Sequence, residues 1–129
     1  MGLATRYPDR AAAFLAGLGY RREETVWDPI QRTNLALCHR PGMPCIELIS
    51  PVGDPGPLNG ALSSGDGMVY HVCYRTDDAE ASIDAIKRSG NRIVQIAAPQ
   101  PAVLFGHRSV SFHMIKGFGL IEIIHGRRE

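Results

Sequence analysis

No apolar run in the chain approaches the roughly 18 consecutive positions that a membrane-spanning helix needs. The first residues, MGLATRYPDR, lack a basic head followed by an apolar stretch, so no signal peptide is expected there. Charge of one sign is scarce too: 14 Lys and Arg oppose 13 Asp and Glu, a formal net charge of +1. Binders of nucleic acid or anionic membrane normally carry a basic excess, so neither partner is expected. The pairs Arg21-Arg22 and Arg127-Arg128 are short and read as solvated. Cysteine is limited to Cys38, Cys45 and Cys73, an odd set without CxxC spacing. Each falls in a strand-like stretch, which predicts reduced, partly buried thiols packing as small hydrophobes. That usage fits a reducing cytoplasm.

What is present is an ordinary globular composition. Hydrophobic residues make up 44% and charged residues 21% of 129 positions, enough apolar material for a core and a length of about one domain. A strand is expected in MGLAT, then a helix that starts at Pro8 and Asp9 and stops at Gly17 and Gly19. YRREETVW, RTNLALCHR and CIELIS read as strands, with bends at DPIQ and PGMP. Residues 51–67, PVGDPGPLNGALSSGDG, concentrate Pro, Gly, Ser and Asp and form the clearest break. The order then repeats. MVYHVCYRT is a strand, and DDAEASIDAIKRSG is a helix capped by Asp77 or Asp78 and ended by Gly90. NRIVQIA is a strand, APQPAVLFGHR a loop, SVSFHMI a strand, KGFG a turn and LIEII the last strand.

The chain therefore reads as two βαβββ modules within a single domain over 1–129: module one 1–50, linker 51–67, module two 68–129. PCIELIS and GLIEIIH close the modules, and Glu47 and Glu122 fall in register. An α+β fold is expected, each module giving a small sheet with its helix on one face, the sheets curling around a shared cleft.

Strand periodicity decides where side chains point. If Ile46, Leu48, Ile121 and Ile123 pack under the helices, Glu47 and Glu122 turn the other way. Placing Val72 and Tyr74 under the second helix turns His71 to the same side as Glu122. A carboxylate in an apolar strand is costly to bury without a partner. Two carboxylates and one imidazole converging from three strands would suit a divalent cation such as Zn, Ni, Co or Mn.

On these motifs the chain resembles the vicinal oxygen chelate superfamily, which includes glyoxalase I, methylmalonyl-CoA epimerase, extradiol dioxygenases and bleomycin-resistance proteins. The resemblance spans essentially the whole chain. YHVCYRTDDAEASIDAIKRSG, GHRSVSF and GLIEII are most similar to the epimerases, as are IELISP before a Pro/Gly-rich linker and the acidic-x-x-Gln segment in ETVWDPIQ. The resemblance implies a metal held by Glu47, His71 and Glu122. A fourth ligand is expected at the module-one counterpart of His71, and aligning MGLATR with VCYRTD puts that counterpart one residue before Met1.

The implied chemistry is proton abstraction next to a carbonyl, as in an epimerase acting on an acyl thioester. Glu122, with Glu47 by symmetry, would be the base, and Asp28 the partner on the opposite face, with Glu24 behind it. The family presents a glutamate where this chain has Asp28. Gln31, His107 and Arg108 are expected to contact substrate, Arg108 through a bidentate grip on a carboxylate or acyl oxygen. His39, His113 and His125 have no counterparts and read as structural or exposed. The runner-up is a metal-free protein that sequesters a small molecule or antibiotic. A glyoxalase I-type lyase comes next; a dioxygenase would want two histidines and one glutamate, the reverse of this chain. A homodimer is implied by the resemblance alone.

Overall fold

The computed structural model describes residues 1–53 and 56–126, so the Arg127-Arg128 pair lies outside the described residues. Two compact units emerge, Met1–Tyr70 and His71–Glu129.

In the first unit, β1 (Gly2–Thr5) leads to α1 (Pro8–Gly17), then β2 (Arg21–Arg22), β3 (Val26–Asp28), β4 (Thr33–His39) and β5 (Ile46–Pro51). Pro8 suits the first helical turn, where its missing N–H costs nothing. The helix ends with Gly19 at φ +88, while the N–H groups of Gly19 and Tyr20 donate to the carbonyls of Ala16 and Leu15. β5 pairs with β1 in parallel and with β4 antiparallel; β2 and β3 both line the outer edge of β4. Leu15 of α1 is buried against Ala36, Cys38, Ile46 and Leu48, with Ala11, Ala12 and Tyr20 around them. Ile46 and Leu48 thus face the helix, as their periodicity requires.

In the second unit, β6 (Gly67–Thr76, belonging to this unit from His71 onward) precedes α2 (Ala79–Arg88), β7 (Ile93–Ala102), a 3₁₀ turn at Val103–Phe105, β8 (Arg108–Ile115) and β9 (Gly119–His125). Of the two candidate caps for α2, Asp78 is the one used: its Oδ1 accepts from the Ala81 N–H at 2.9 Å. The sheet order is β6-β9-β8-β7, with β6 and β9 parallel and the rest antiparallel. Ile121 and Ile123 pack with Ile115 against Ala79, Ile83 and Ile86 of the helix. The opposite face holds Val110, Phe112 and Ile124 with Cys73 and Leu120.

The second unit is therefore a βαβββ module, the first follows the same order with its second strand split into β2 and β3, and the fold is α+β. Three details depart from expectation. YRREETVW is not one strand but two short ones, β2 and β3: the Glu23 N–H still donates to the Leu37 carbonyl of β4, and regular pairing resumes only at Val26 opposite Leu35. Cys45 lies just before β5 rather than within it. The expected loop after residue 97 is instead the continuation of β7 through Pro99 and Pro101. β7 is an edge strand with register shifts between Gln95 and Ala97 and between Ala97 and Gln100, and an edge is where a strand tolerates proline. Among the described residues, no helix is long and apolar enough to cross a membrane.

Candidate active site

Glu122 stands in the middle of β9 with Cys73 of β6 and Phe112 of β8 as its strand partners. All three occupy the face that turns away from α2. Its carboxylate is 2% exposed, and Oε2 lies 3.3 Å from Nε2 of His71, itself buried. The Cys73 thiol donates to Oε1 at 3.8 Å. The His71 ring meets Phe112 edge-on, with centroids 5.6 Å apart. Burial, which penalises the charged ring, lowers the His71 pKa to about 4. At neutral pH the ring is therefore neutral, the form that carries a lone pair for a metal. Two ligands bound at about 2.1 Å with a tetrahedral angle between them sit about 3.4 Å apart. The 3.3 Å spacing of Nε2 and Oε2 fits such a pair.

Glu47 holds the corresponding place in the first unit. It is 6% exposed, the second residue of β5, and its strand partners are Gly2 and Leu37. Ile46 and Leu48 pack on α1, so Glu47 faces away from the helix with Leu35, Leu37 and Ile49. The internal registers agree: Gly2 opposes Glu47 as Cys73 opposes Glu122. Counting along β1, the counterpart of His71 falls one residue before Met1, as the sequence alignment had it. The Met1 ammonium donates to the Cys45 carbonyl at 2.8 Å.

Asp28 ends β3 on the same face as Glu47: it opposes Thr33, which opposes Pro51, four residues along β5 from Glu47. Asp28 opens the DPIQ bend, and half of its carboxylate serves the turn. Oδ1 accepts from the N–H groups of Ile30 and Gln31 at 2.9 and 3.1 Å. Arg32 closes this turn at φ +54. The other oxygen, Oδ2, is buried without a hydrogen-bond partner, and so is Thr33 Oγ1. Gln31 is half-buried beside Asp28, whereas Glu24 is exposed.

Arg108 is not a loop residue. It opens β8, half-buried, on the face it shares with Val110, Phe112 and so with Glu122. His107 is exposed at φ +59, its N–H donating to Ala102. Of the remaining histidines, exposed His39 pairs with Glu23 at 2.9 Å. His113 and His125 are joined through Ser111, whose Oγ lies 2.9 and 2.7 Å from their Nε2 atoms. That network, on the face under α2, carries the two histidines that had no role. Sequence reasoning also passed over Thr33. Its signal was available: it shares the parity of Leu35 and directly follows the turn that begins at Asp28.

Over residues 1–112 the chain matches the family model described as the Glyoxalase/Bleomycin resistance protein/Dioxygenase superfamily. An ethylmalonyl-CoA/methylmalonyl-CoA epimerase of Cereibacter sphaeroides is 35% identical over 68 residues, 48% of this chain; the match spans about half of that relative, 51%. Among solved structures, a methylmalonyl-CoA epimerase from Mycobacterium tuberculosis superposes with a TM-score of 0.76 at 20% identity, covering 98% of this chain and 85% of the other. A Streptomyces coelicolor methylmalonyl-CoA epimerase in complex with 2-nitronate-propionyl-CoA gives 0.74 at 18% identity, with 98% and 94% covered. These structural likenesses bear on the fold.

Proposed function

The chain belongs to the glyoxalase/bleomycin resistance protein/dioxygenase superfamily, and from that premise we propose that it is a metal-assisted enzyme that moves a proton at the carbon next to a thioester carbonyl. The observation that carries this is the buried pair of His71 and Glu122, a neutral imidazole and a carboxylate spaced as two ligands of one ion. The likeness to an ethylmalonyl-CoA/methylmalonyl-CoA epimerase supports the substrate class, an acyl-CoA thioester with an acidic α C–H.

His71 and Glu122 hold a divalent cation of the Zn, Ni, Co or Mn kind, and Glu47 joins them as a third ligand. Repeat register supports Glu47, as does the burial of a carboxylate in an apolar strand. When bound, such a cation polarises a carbonyl and stabilises the enolate that deprotonation creates. The chain's own groups do the rest. Glu122, or Glu47 by symmetry, takes the α-proton. Asp28 Oδ2 serves the opposite side of the carbon, since its Oδ1 is committed to the turn. Arg108 shares the face of Glu122 and grips a carboxylate or acyl oxygen of the substrate. Gln31 and His107 line the approach. A single domain and a cytoplasmic homodimer complete the reading.

Two measurements test it. After reconstitution with divalent cations, elemental analysis should find about one metal per chain. With the metal loaded, deuterium should enter the α-carbon of a 2-methylmalonyl thioester in heavy water. No stoichiometric metal would favour a metal-free protein that sequesters a small molecule; metal without exchange would point to another branch of the superfamily.

A further inference from the structure

Asp28 and Thr33 are direct partners across the β3–β4 ladder, so their side chains leave the same face with Cβ atoms about 4.5–5.5 Å apart. Both are almost fully buried, 1% and 2% exposed. Each nevertheless keeps one polar atom, Asp28 Oδ2 and Thr33 Oγ1, without a hydrogen-bond partner. A buried polar group left this way costs about 1–3 kcal/mol. Two such atoms on facing residues of one hairpin are not a scattered defect. They could have satisfied each other, since a threonine hydroxyl donates readily to a carboxylate, yet they do not. The turn explains why. Two N–H groups fix Oδ1, which holds the carboxyl plane and leaves Oδ2 at a set position. The face they occupy is that of Glu47, away from α1.

We propose that Asp28 Oδ2 and Thr33 Oγ1 form a two-point contact for the substrate, which makes Thr33 a further residue of the reaction. This rests on the proton-transfer reading given above. In the transfer, the α C–H bond breaks, an O–H bond forms on Asp28 Oδ2, and the electron pair moves onto the substrate's carbonyl oxygen. The reverse step returns the proton to carbon. Thr33 Oγ donates a hydrogen bond to a substrate oxygen adjacent to that carbon and so sets the carbon against Oδ2. A threonine suits the task because its β-branched side chain has restricted χ1 freedom in a strand. The ligand class follows. The partner of Thr33 must accept a hydrogen bond, and the partner of Asp28 Oδ2 must carry a removable proton. Both belong to a compound with a C–H flanked by an oxygen-bearing group.

The test compares wild type, Thr33→Val, Thr33→Ser and Asp28→Asn in α-deuterium exchange on the metal-loaded protein, with melting temperatures of the substrate-free proteins. Val keeps the shape and removes only the hydroxyl. Thr33→Val should lower kcat roughly 10- to 100-fold with KM within about twofold, the pattern of an interaction made mainly in the transition state. Its melting temperature should equal or exceed the wild type, because an unsatisfied hydroxyl has been exchanged for a methyl. Thr33→Ser should recover most of the rate. Exchange by Thr33→Val at the wild-type rate, or a drop of several degrees in its melting temperature, would overturn the proposal while leaving the function intact if Asp28→Asn is inactive. Full exchange by Asp28→Asn, or none by wild type, would overturn this contact together with the role given to Asp28.

Discussion

His71 Nε2 and Glu122 Oε2 meet at 3.3 Å from neighbouring parallel strands, two residues out of register: Glu122 opposes Cys73, not His71. The offset leaves the Cys73 thiol below one carboxylate oxygen and the imidazole beside the other. Removing the charge while keeping the shape is the direct probe. Glu122→Gln should lose the bound metal and slow α-exchange by roughly 10²- to 10⁴-fold, with little change in the unfolding midpoint. Elemental analysis and urea unfolding check the two halves. A large loss of stability with metal retained would identify Glu122 as a structural carboxylate.

The pH dependence of stability has a fixed sign. His71 is held at a pKa of about 4, below the ordinary 6.5. Above pH 6.5 both folded and unfolded chains keep the ring neutral, so its contribution there is fully present. As pH falls the unfolded chain binds the proton first, and stability drains until the folded pKa near 4 is passed. At 1.36 kcal/mol per unit this is worth about 3 kcal/mol. Urea midpoints of the metal-free protein between pH 4 and pH 7 should show that decline, and His71→Gln should flatten it. Burial also lowers the His113 pKa, with His125 and Lys87 adding in the same direction, so some acid sensitivity should persist in the variant.

Much of this was legible because strands alternate. Once Ile46, Leu48, Ile121 and Ile123 are placed under helices, Glu47 and Glu122 have only one direction left, and the cores bear that placement out; His71 shares the face of Cys73, which pairs with Glu122. What was not legible depends on facts that periodicity does not carry. Pro99 and Pro101 read as loop residues because a sequence does not say which strand lies at an edge. Ser111 and His113 are two residues apart on one strand, but the bond between Ser111 and His125 needs the β8–β9 register, which only the folded sheet supplies. Nor does the DPIQ segment say that the two oxygens of Asp28 divide the work, one held by the turn and one left unpaired.

The Ser111 network should matter for stability rather than chemistry. It lies on the face that Ile121 and Ile123 share under α2, opposite Glu122. Ser111→Ala would leave buried His113 without its hydroxyl partner, at about 1–3 kcal/mol. Thermal unfolding should register the loss, with α-exchange at temperatures below the transition unchanged. A rate that falls as steeply as in Glu122→Gln would move the network into the active site.

The turn role of Asp28 can be separated from its proposed chemical role by choosing the substituent. Asn keeps an oxygen able to accept from the Ile30 and Gln31 N–H groups, and Ala removes it. Asp28→Ala should therefore lose about 1–2 kcal/mol, by analogy with the loss of a side chain that caps free backbone donors, and Asp28→Asn should lose little. Both should lose α-exchange of the epimer whose C–H faces Oδ2, if Oδ2 carries the proton. Equal stability of the two variants would show that the hydrogen bonds to the turn contribute nothing, and that Arg32 holds its φ of +54 for some other reason.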